Sequence, residues 1–200
     1  MRLRSFALVA AIAVPTAVSA TQAPQRHDAF ARSALITESA SIGTTLFVKR
    51  RTRTAGCTLG IEPDRTCSPG AYEGTRTASV LCDTSFHTGD VRAVSEGLKH
   101  EVEVEYGLEA KRYGGTLEID HIISLELGGS NDIANLYPEL APGYHVKDVL
   151  ENRLHKLVCQ GKMTLHSAQS HISADWVKLY TRVFGKAPAT TPATTPVTSP

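Results

Sequence analysis

The strongest constraint on how this chain can fold comes from its four cysteines, Cys57, Cys67, Cys82 and Cys159. In an oxidising compartment, an even set of cysteines without Cys-x-x-Cys spacing predicts two disulfides rather than a zinc site. Three pairings are possible, and we favour Cys57 with Cys67 as a local bond and Cys82 with Cys159 as a long-range bond. The long-range bond would close a loop of about 75 residues and stabilise the fold by about 4 kcal/mol.

The first 20 residues have the layout of a secretory signal peptide. Arg2 and Arg4 give a positive start, residues 6–14 are almost entirely apolar, and residues 18–20 offer the small side chains that signal peptidase accepts. A short buried helix is the alternative, but it needs neither charged start nor small-residue end. Because the apolar run is shorter than the ~20 residues of a spanning helix, the sequence predicts a secreted or periplasmic protein, cleaved near Ala20, without integral membrane contact.

Composition excludes several classes of protein. Hydrophobic residues make up 42% and charged residues 20% of the 200 positions, which does not fit a collagen, a wholly disordered chain or a long coiled coil. The formal net charge is +1, and loss of the two arginines of the signal peptide would make it −1. A chain with so little net charge has no global positive field, so any contact with a polyanion must be local.

The chain beyond the signal peptide (1–20) divides into three parts. Residues 21–53 show little pattern and are predicted to be a variable, poorly ordered segment. Residues 54–185 form the one predicted domain, which is long enough to bury roughly 70% of its unfolded surface. Residues 186–200 are rich in Thr and Pro, with a proline every four residues, and predict a disordered tail.

Hydrophobic spacing within the predicted domain indicates an α+β fold. Runs of β-branched residues predict a strand at 77–82 and a bent strand or hairpin at 116–127. Helical spacing predicts helices over 91–106 and 146–158, each followed by a glycine that would end it. A last helix is predicted from a Thr164 cap, with a second helical start midway along it.

The chemically distinctive part of the sequence is a set of polar residues and glycines in its second half. Its members are the Asp120–His121 pair, the double glycine Gly128–Gly129, the Asn135–Leu136 step and His145. The three residues His121, Asn135 and His145 are separated by 13 and 9 positions. These features, in this order, resemble the HNH endonuclease family, and such a combination seldom arises by chance.

The resemblance implies a small ββα-metal core, in which two short strands and a helix surround one divalent ion. From Cys57 through the final helix, roughly 130 residues, the chain is similar to small exported bacterial proteins with an HNH-like centre. Flanking helices and a disulfide-tied N-terminal segment would complete the fold. The family implies an endonuclease that acts on nucleic acid with one divalent metal ion, and we favour Mg²⁺ over Mn²⁺ or Zn²⁺.

Each of these residue types suits a step in phosphodiester hydrolysis. A neutral imidazole, His121, can take a proton from the attacking water. Asp120 and His145 offer an oxygen and a nitrogen ligand for the metal, and Lys147 could contact a substrate phosphate. Asn135 could hold its loop or fix the tautomer of the histidine ring, and we group it with the catalytic residues.

Three points about the ligands stay open in the sequence. Asp148 or Glu151 could coordinate the metal instead of His145, although both could equally lie on a solvated helix face, the interpretation we favour for Glu151. Glu118 could help to hold the ion or could be an edge-strand charge. Consecutive strand residues point to opposite faces, so Asp120 and His121 can share a site only if the strand bends or ends there, as we predict.

The sequence therefore predicts an exported, metal-dependent HNH-type endonuclease, and it gives no indication of oligomeric state. The alternative is a non-catalytic secreted binding module that keeps an HNH-like scaffold, which the near-neutral charge of the chain favours.

Overall fold

A computed structural model describes residues 45–108 and 116–189. The strands in these ranges are β1 (Thr45–Phe47), β2 (Ala71–Glu73), β3 (Leu117–His121) and β4 (Leu136–Leu140). The α-helices there are α1 (Ala78–Leu81), α2 (Thr88–Val91), α3 (Glu96–Glu105), α4 (Gly143–Cys159), α5 (Leu165–Ala174) and α6 (Trp176–Phe184). Helices and small antiparallel sheets are thus mixed, and the predicted α+β class is confirmed.

The strands form two separate antiparallel pairs. In the first pair, β1 lies against β2 with Thr45 opposite Glu73. In the second pair, β3 lies against β4 with Leu117 opposite Leu140 and His121 opposite Leu136. The second pair leads directly into α4, which contacts β4. A strand, a loop, a returning strand and a helix therefore follow one another between residues 117 and 159.

Helix α4 carries the apolar face around which the other helices pack. Leu150 and Leu154 are completely buried, and Val158 continues the same face toward the end of the helix. Burial of each of these leucines contributes about 1.5–3 kcal/mol relative to an exposed position. Because α5 and α6 both contact α4, this face fixes the helix against the rest of the core and so fixes the residues at its start.

The ends of the C-terminal helices follow local sequence signals. Gly161 adopts a left-handed φ of +68° just beyond α4, and the Thr164 side chain accepts a hydrogen bond from the backbone N–H of Ser167 at the start of α5. The predicted second start is present as well, because Asp175 ends α5 and its side chain caps α6 through the backbone N–H of Lys178.

The double glycine in the loop between β3 and β4 serves two different purposes. Gly128 has a φ of +79°, a left-handed conformation that side chains rarely adopt. Gly129 lies so close to the preceding chain that a Cβ on it would stand 1.7 Å from the carbonyl oxygen of Ile123. Close approach of backbone to backbone, rather than an unusual dihedral, therefore requires glycine at the second position.

Both predicted disulfides are present, between Cys57 and Cys67 and between Cys82 and Cys159. The second bond joins the residue after α1 to the last residue of α4. The predicted strand at 77–82 is wrong, because the backbone N–H of Cys82 donates to the carbonyl of Ala78 and closes a helical turn. A segment of only six residues with mixed polar and apolar side chains does not by itself distinguish a strand from a short helix.

Residues 45–53 lie in the segment that the sequence predicted to be poorly ordered. They include β1, and the Arg51 guanidinium both pairs with the Glu105 carboxylate and donates to the carbonyl of Cys67 at 2.7 Å. The packed domain therefore begins before the predicted boundary at residue 54. Arg51 thereby ties this segment to the end of α3.

No helix within the two described ranges is long and apolar enough to cross a membrane. The predicted signal peptide lies outside these ranges, as do residues 190–200 of the predicted tail.

Candidate functional site

Asp120 and His121 are the last two residues of β3, so the strand ends where the sequence predicted a bend or an end. The next residue, Ile122, donates its backbone N–H to the carbonyl of Asn135 across the start of the loop. The carboxylate of Asp120 accepts the backbone N–H of the next residue, His121, at 2.8 Å. Both side chains are buried.

His121 is held by an asparagine from the same loop. Its Nε2 atom lies 3.2 Å from Oδ1 of Asn131. Burial lowers the pKa of His121 to about 4, against the opposing effect of the neighbouring Asp120 charge. The imidazole is consequently neutral at neutral pH, which is the state that a general base requires.

Asn131 also reaches a distant part of the chain. Its Nδ2 atom donates to the carbonyl of Val91 at 2.8 Å, and its Oδ1 atom accepts the backbone N–H of Ala93 at 3.1 Å. These two bonds lie on either side of Arg92. The segment that follows α2 is thereby fixed beside the histidine.

Arg92 is a candidate that sequence reasoning missed. Its side chain is exposed, and its positive charge contributes to lower pKa values for His121, Glu118 and Asp148. Together with Lys99, Glu118 and Ile119 it lines a cleft of about 390 Å³. The residues next to Arg92 in sequence do not distinguish it from an ordinary surface charge. The groups on which its charge acts, Glu118, His121 and Asp148, are far from it in sequence.

The structure overturns the predicted role of Lys147. Its side chain is completely buried, and its Nζ atom donates to Asp120 Oδ2 at 2.5 Å, to Glu151 Oε1 at 2.6 Å and to the carbonyl of His121 at 2.6 Å. Burial lowers the pKa of Lys147, but the surrounding carboxylates raise it well above its ordinary value. All three protons of the ammonium are engaged inside the protein, so Lys147 cannot contact a substrate phosphate.

Two further carboxylates belong to the same buried cluster. Glu151, predicted as an alternative metal ligand or an exposed helix charge, is not exposed, because it is buried and bonded to Lys147. Glu139, on β4, has its Oε2 atom 3.9 Å from Nζ of Lys147. Burial raises the pKa of Glu139 to about 8 despite the nearby lysine. Sequence reasoning missed Glu139, which follows a proline in a strand with no polar pattern.

Asn135 performs the first of its two predicted roles. Its Oδ1 atom accepts the backbone N–H groups of Ala71 and Ile123, and its Nδ2 atom donates to the carbonyls of Ile123 and Ser130. All four hydrogen-bonding positions of the amide are therefore used by backbone. Asn135 holds the loop and β2 together, whereas the contact to the His121 ring comes from Asn131.

A second group of acidic side chains lies at the surface above Asp120. Burial and the charges of Asp120 and Asp148 raise the pKa of Glu118, and burial and the charge of Asp120 raise that of Asp148. The exposed His145 ring lies 4.2 Å from the Tyr144 ring, and its charge lowers the pKa of Asp148. Carboxylates and imidazoles are ligands that a divalent cation uses. Asp120 acts on Asp148 and Glu118 through its charge, and His145 acts on Asp148, but within the described residues these side chains do not bring three ligand atoms within 4.8 Å of one another.

Within the described residues, the group that does place three possible ligand atoms within 4.8 Å of one another is Cys82, His155 and Cys159. The Nε2 atom of His155 lies 3.4 Å from the sulfur of Cys159. Both sulfurs are bonded to each other in the disulfide, so neither is a thiolate that could bind a metal. This group is a disulfide with a neighbouring histidine.

Comparisons with family models, with curated proteins and with solved structures found no match to the chain. What the protein does is therefore inferred from its own side chains. Of the predicted site residues, Lys147 and Glu151 bond within the buried cluster at Asp120, Asn135 bonds to the loop backbone, and His145 and Asp148 are exposed.

Proposed function

We propose that the protein is an HNH-type endonuclease that hydrolyses phosphodiester bonds with the help of one divalent metal ion. The observation that carries the proposal is a buried histidine, His121, which follows the buried carboxylate of Asp120 at the end of β3 and whose pKa burial lowers to about 4. The antiparallel pair of β3 and β4, followed by α4, has the order of elements that the family resemblance implies. The two disulfides suit the oxidising compartment that an exported protein would enter.

Hydrolysis of a phosphodiester needs an activated water, a counter-charge for the phosphate and stabilisation of the leaving oxygen. In the proposed mechanism, His121 takes the proton from the attacking water. Arg92 replaces Lys147 as the contact to the non-bridging phosphate oxygens, because it is exposed and lies next to the histidine through Asn131.

Asp120, with Asp148 and His145, would hold the metal. Mg²⁺ or Mn²⁺ fits the two carboxylates, and Zn²⁺ would make more use of the imidazole. A bound divalent ion would supply positive charge to the leaving oxygen. Lys147 keeps the Asp120 carboxylate in place through its bond to Oδ2, which leaves the ligand little freedom to rotate.

Access to the histidine sets a requirement on the substrate. The His121 residue is only 2% exposed. The cleft lined by Arg92, Glu118 and Ile119 lies along β3, and Ile119 shares a strand face with His121 because it is two residues away. A phosphate that enters along this cleft would approach the histidine from the side that carries Arg92.

Cleavage assays with the oxidised protein test the proposal. Supercoiled plasmid and a structured RNA would each be incubated with Mg²⁺, Mn²⁺ or a chelator. We expect metal-dependent cleavage that falls by at least about 100-fold in His121→Ala, while His166→Ala, an exposed histidine in α5, keeps full activity. Arg92→Ala should raise KM. Absence of metal-dependent cleavage, or equal cleavage by His121→Ala, overturns the proposal.

The burial of His121 favours one other function, a secreted module that binds nucleic acid without cleaving it. Such a module would bind a labelled oligonucleotide in fluorescence anisotropy, lose affinity in Arg92→Ala, and show no cleavage with any of the metals.

A further inference from the structure

The contacts of Asn131 define which nitrogen of the His121 ring carries the proton. The asparagine amide is fixed by backbone on one side, where the Val91 carbonyl needs a donor and the Ala93 N–H needs an acceptor. Exchanging the amide oxygen and nitrogen would set two donors against each other at Ala93 and two acceptors against each other at Val91. The oxygen of the amide must therefore be the atom at 3.2 Å from His121 Nε2.

An amide oxygen can only accept. The Nε2 atom of a neutral imidazole facing such an oxygen must carry the ring proton, and the lone pair of the ring is then on Nδ1. Within the described parts of the chain, no side chain or backbone group forms a hydrogen bond with Nδ1 of His121.

The adjoining carboxylate does not compete for the ring. The oxygens of Asp120 are occupied by Lys147 Nζ and by the backbone N–H of His121. Asn135, the other asparagine of the loop, has used all of its hydrogen-bonding positions on backbone. Asn131 is thus the side chain that orients the histidine.

We infer that Asn131 is a positioning residue that holds His121 as the Nε2-protonated tautomer and so leaves Nδ1 as the proton acceptor. Through its bonds to residues 91 and 93, Asn131 also fixes the backbone of Arg92 beside the histidine. The tautomer follows from the contacts alone, whereas the role of Nδ1 as base rests on the proposed nuclease function. The same amide bonds to residues 91 and 93, so displacement of Asn131 would move both the base and the phosphate contact.

Long-range ¹H–¹⁵N correlation spectra of the oxidised ¹⁵N-labelled protein at neutral pH test the tautomer directly. We expect one His121 ring nitrogen with the shift of a protonated nitrogen, assigned to Nε2, and the other with the shift of an unprotonated nitrogen, assigned to Nδ1. A spectrum with the proton on Nδ1, or with the two forms averaged, overturns the inference. This measurement needs no enzymatic activity.

Variants then separate positioning from general stability. In Asn131→Ala we expect averaged tautomer signals and a 10- to 100-fold lower kcat, about the loss seen when a residue that orients a reactive group is removed. Gln160→Ala, an exposed amide after α4, should change neither. An unaltered tautomer in Asn131→Ala contradicts the assigned role.

The outcomes distinguish the two proposals. An Nε2-protonated His121 in a protein that cleaves nothing leaves the tautomer assignment standing and removes the nuclease function. Metal-dependent cleavage by a protein whose His121 carries its proton on Nδ1 supports the nuclease function and removes the tautomer assignment.

Discussion

Nζ of Lys147, a fully buried residue near the start of α4, lies 2.5 Å from Oδ2 of Asp120. The same ammonium also bonds to Glu151 and lies 3.9 Å from Glu139. One buried cation thus faces three carboxylates, and it is the only lysine of the described residues that is buried. A charge removed from such a cluster leaves its partners uncompensated in a medium that solvates them poorly.

Replacement of the lysine should therefore be severe. Lys147→Met is expected to lower the free energy of unfolding by about 3–5 kcal/mol, because it leaves buried carboxylates without a partner. Urea denaturation of the oxidised protein at neutral pH measures the change. Lys178→Met is the matched control, since Lys178 pairs with Asp175 at the surface, and we expect very little effect. A loss below about 1 kcal/mol in Lys147→Met would show that the cluster does not depend on its cation.

Asn135 is expected to matter for stability more than for catalysis. Asn135→Ala leaves two backbone N–H groups and two carbonyl groups of the loop without partners. Each unsatisfied buried group costs about 1–3 kcal/mol, so we expect a total loss of at least about 3 kcal/mol in chemical denaturation. Asn152→Ala, whose amide is exposed, should stay within about 0.5 kcal/mol of the parent protein. Equal stability of the two variants would be incompatible with the hydrogen bonds described.

The double glycine allows a comparison between steric exclusion and dihedral strain. Gly129→Ala would place a methyl group against the Ile123 carbonyl, and we expect a loss above about 4 kcal/mol or no recoverable folded protein. Gly161→Ala has open space around it and only a positive φ of +68° to accommodate, so it should cost about 1–2 kcal/mol. Thermal unfolding of both variants, followed by circular dichroism, gives the ranking. The opposite ranking would contradict the close approach at Gly129.

Glu62 gives a dependence of stability on pH. Its Oε1 atom accepts the backbone N–H of Val177 at 2.9 Å, and burial raises its pKa from 4.5 to about 7. Between these two values the folded state binds more protons than the unfolded state, so this contribution to stability is present below pH 4.5, falls as the pH rises to about 7, and is then constant.

The difference between the parent protein and Glu62→Gln isolates that contribution. We expect the unfolding free energy of the parent to fall relative to the variant by at most about 1.4 kcal/mol per pH unit, with a smaller slope because the side chain is partly exposed. Denaturant titrations at several pH values measure the slope. A difference that does not change with pH, or that rises with it, would show that the Glu62 pKa is not raised by folding.

Local and combinatorial signals in the sequence predicted several parts of this structure. The spacing of Leu150, Leu154 and Val158 predicted α4, and Thr164 marked the start of α5. Four cysteines allow only three pairings, and the favoured one is present. The end of β3 at His121 was predicted because the adjacent side chains of Asp120 and His121 can share one site only where the strand bends or ends. Such signals depend on neighbours along the chain, or on a small set of choices.

The parts that were missed depend on contacts between residues far apart in sequence. Asn131 forms hydrogen bonds with Val91 and Ala93, about 40 residues away in sequence. No local sequence pattern predicts these contacts. Lys147 did carry a signal, because it is three and seven residues before Leu150 and Leu154 and so lies on the apolar face of α4. The usual preference of lysine for solvent outweighed that spacing. The short helix α1 was mistaken for a strand because its single buried residue, Leu81, gives no period.

The bond between Cys82 and Cys159 anchors the far end of the helix that begins beside the reactive centre. Ribosomes deliver the chain into cytoplasm whose thiols keep such bonds open. In such a reducing compartment the protein would lack this cross-link, and with it about 4 kcal/mol of stability. If the proposed export takes place, the folded state would therefore be less stable inside the producing cell than outside it.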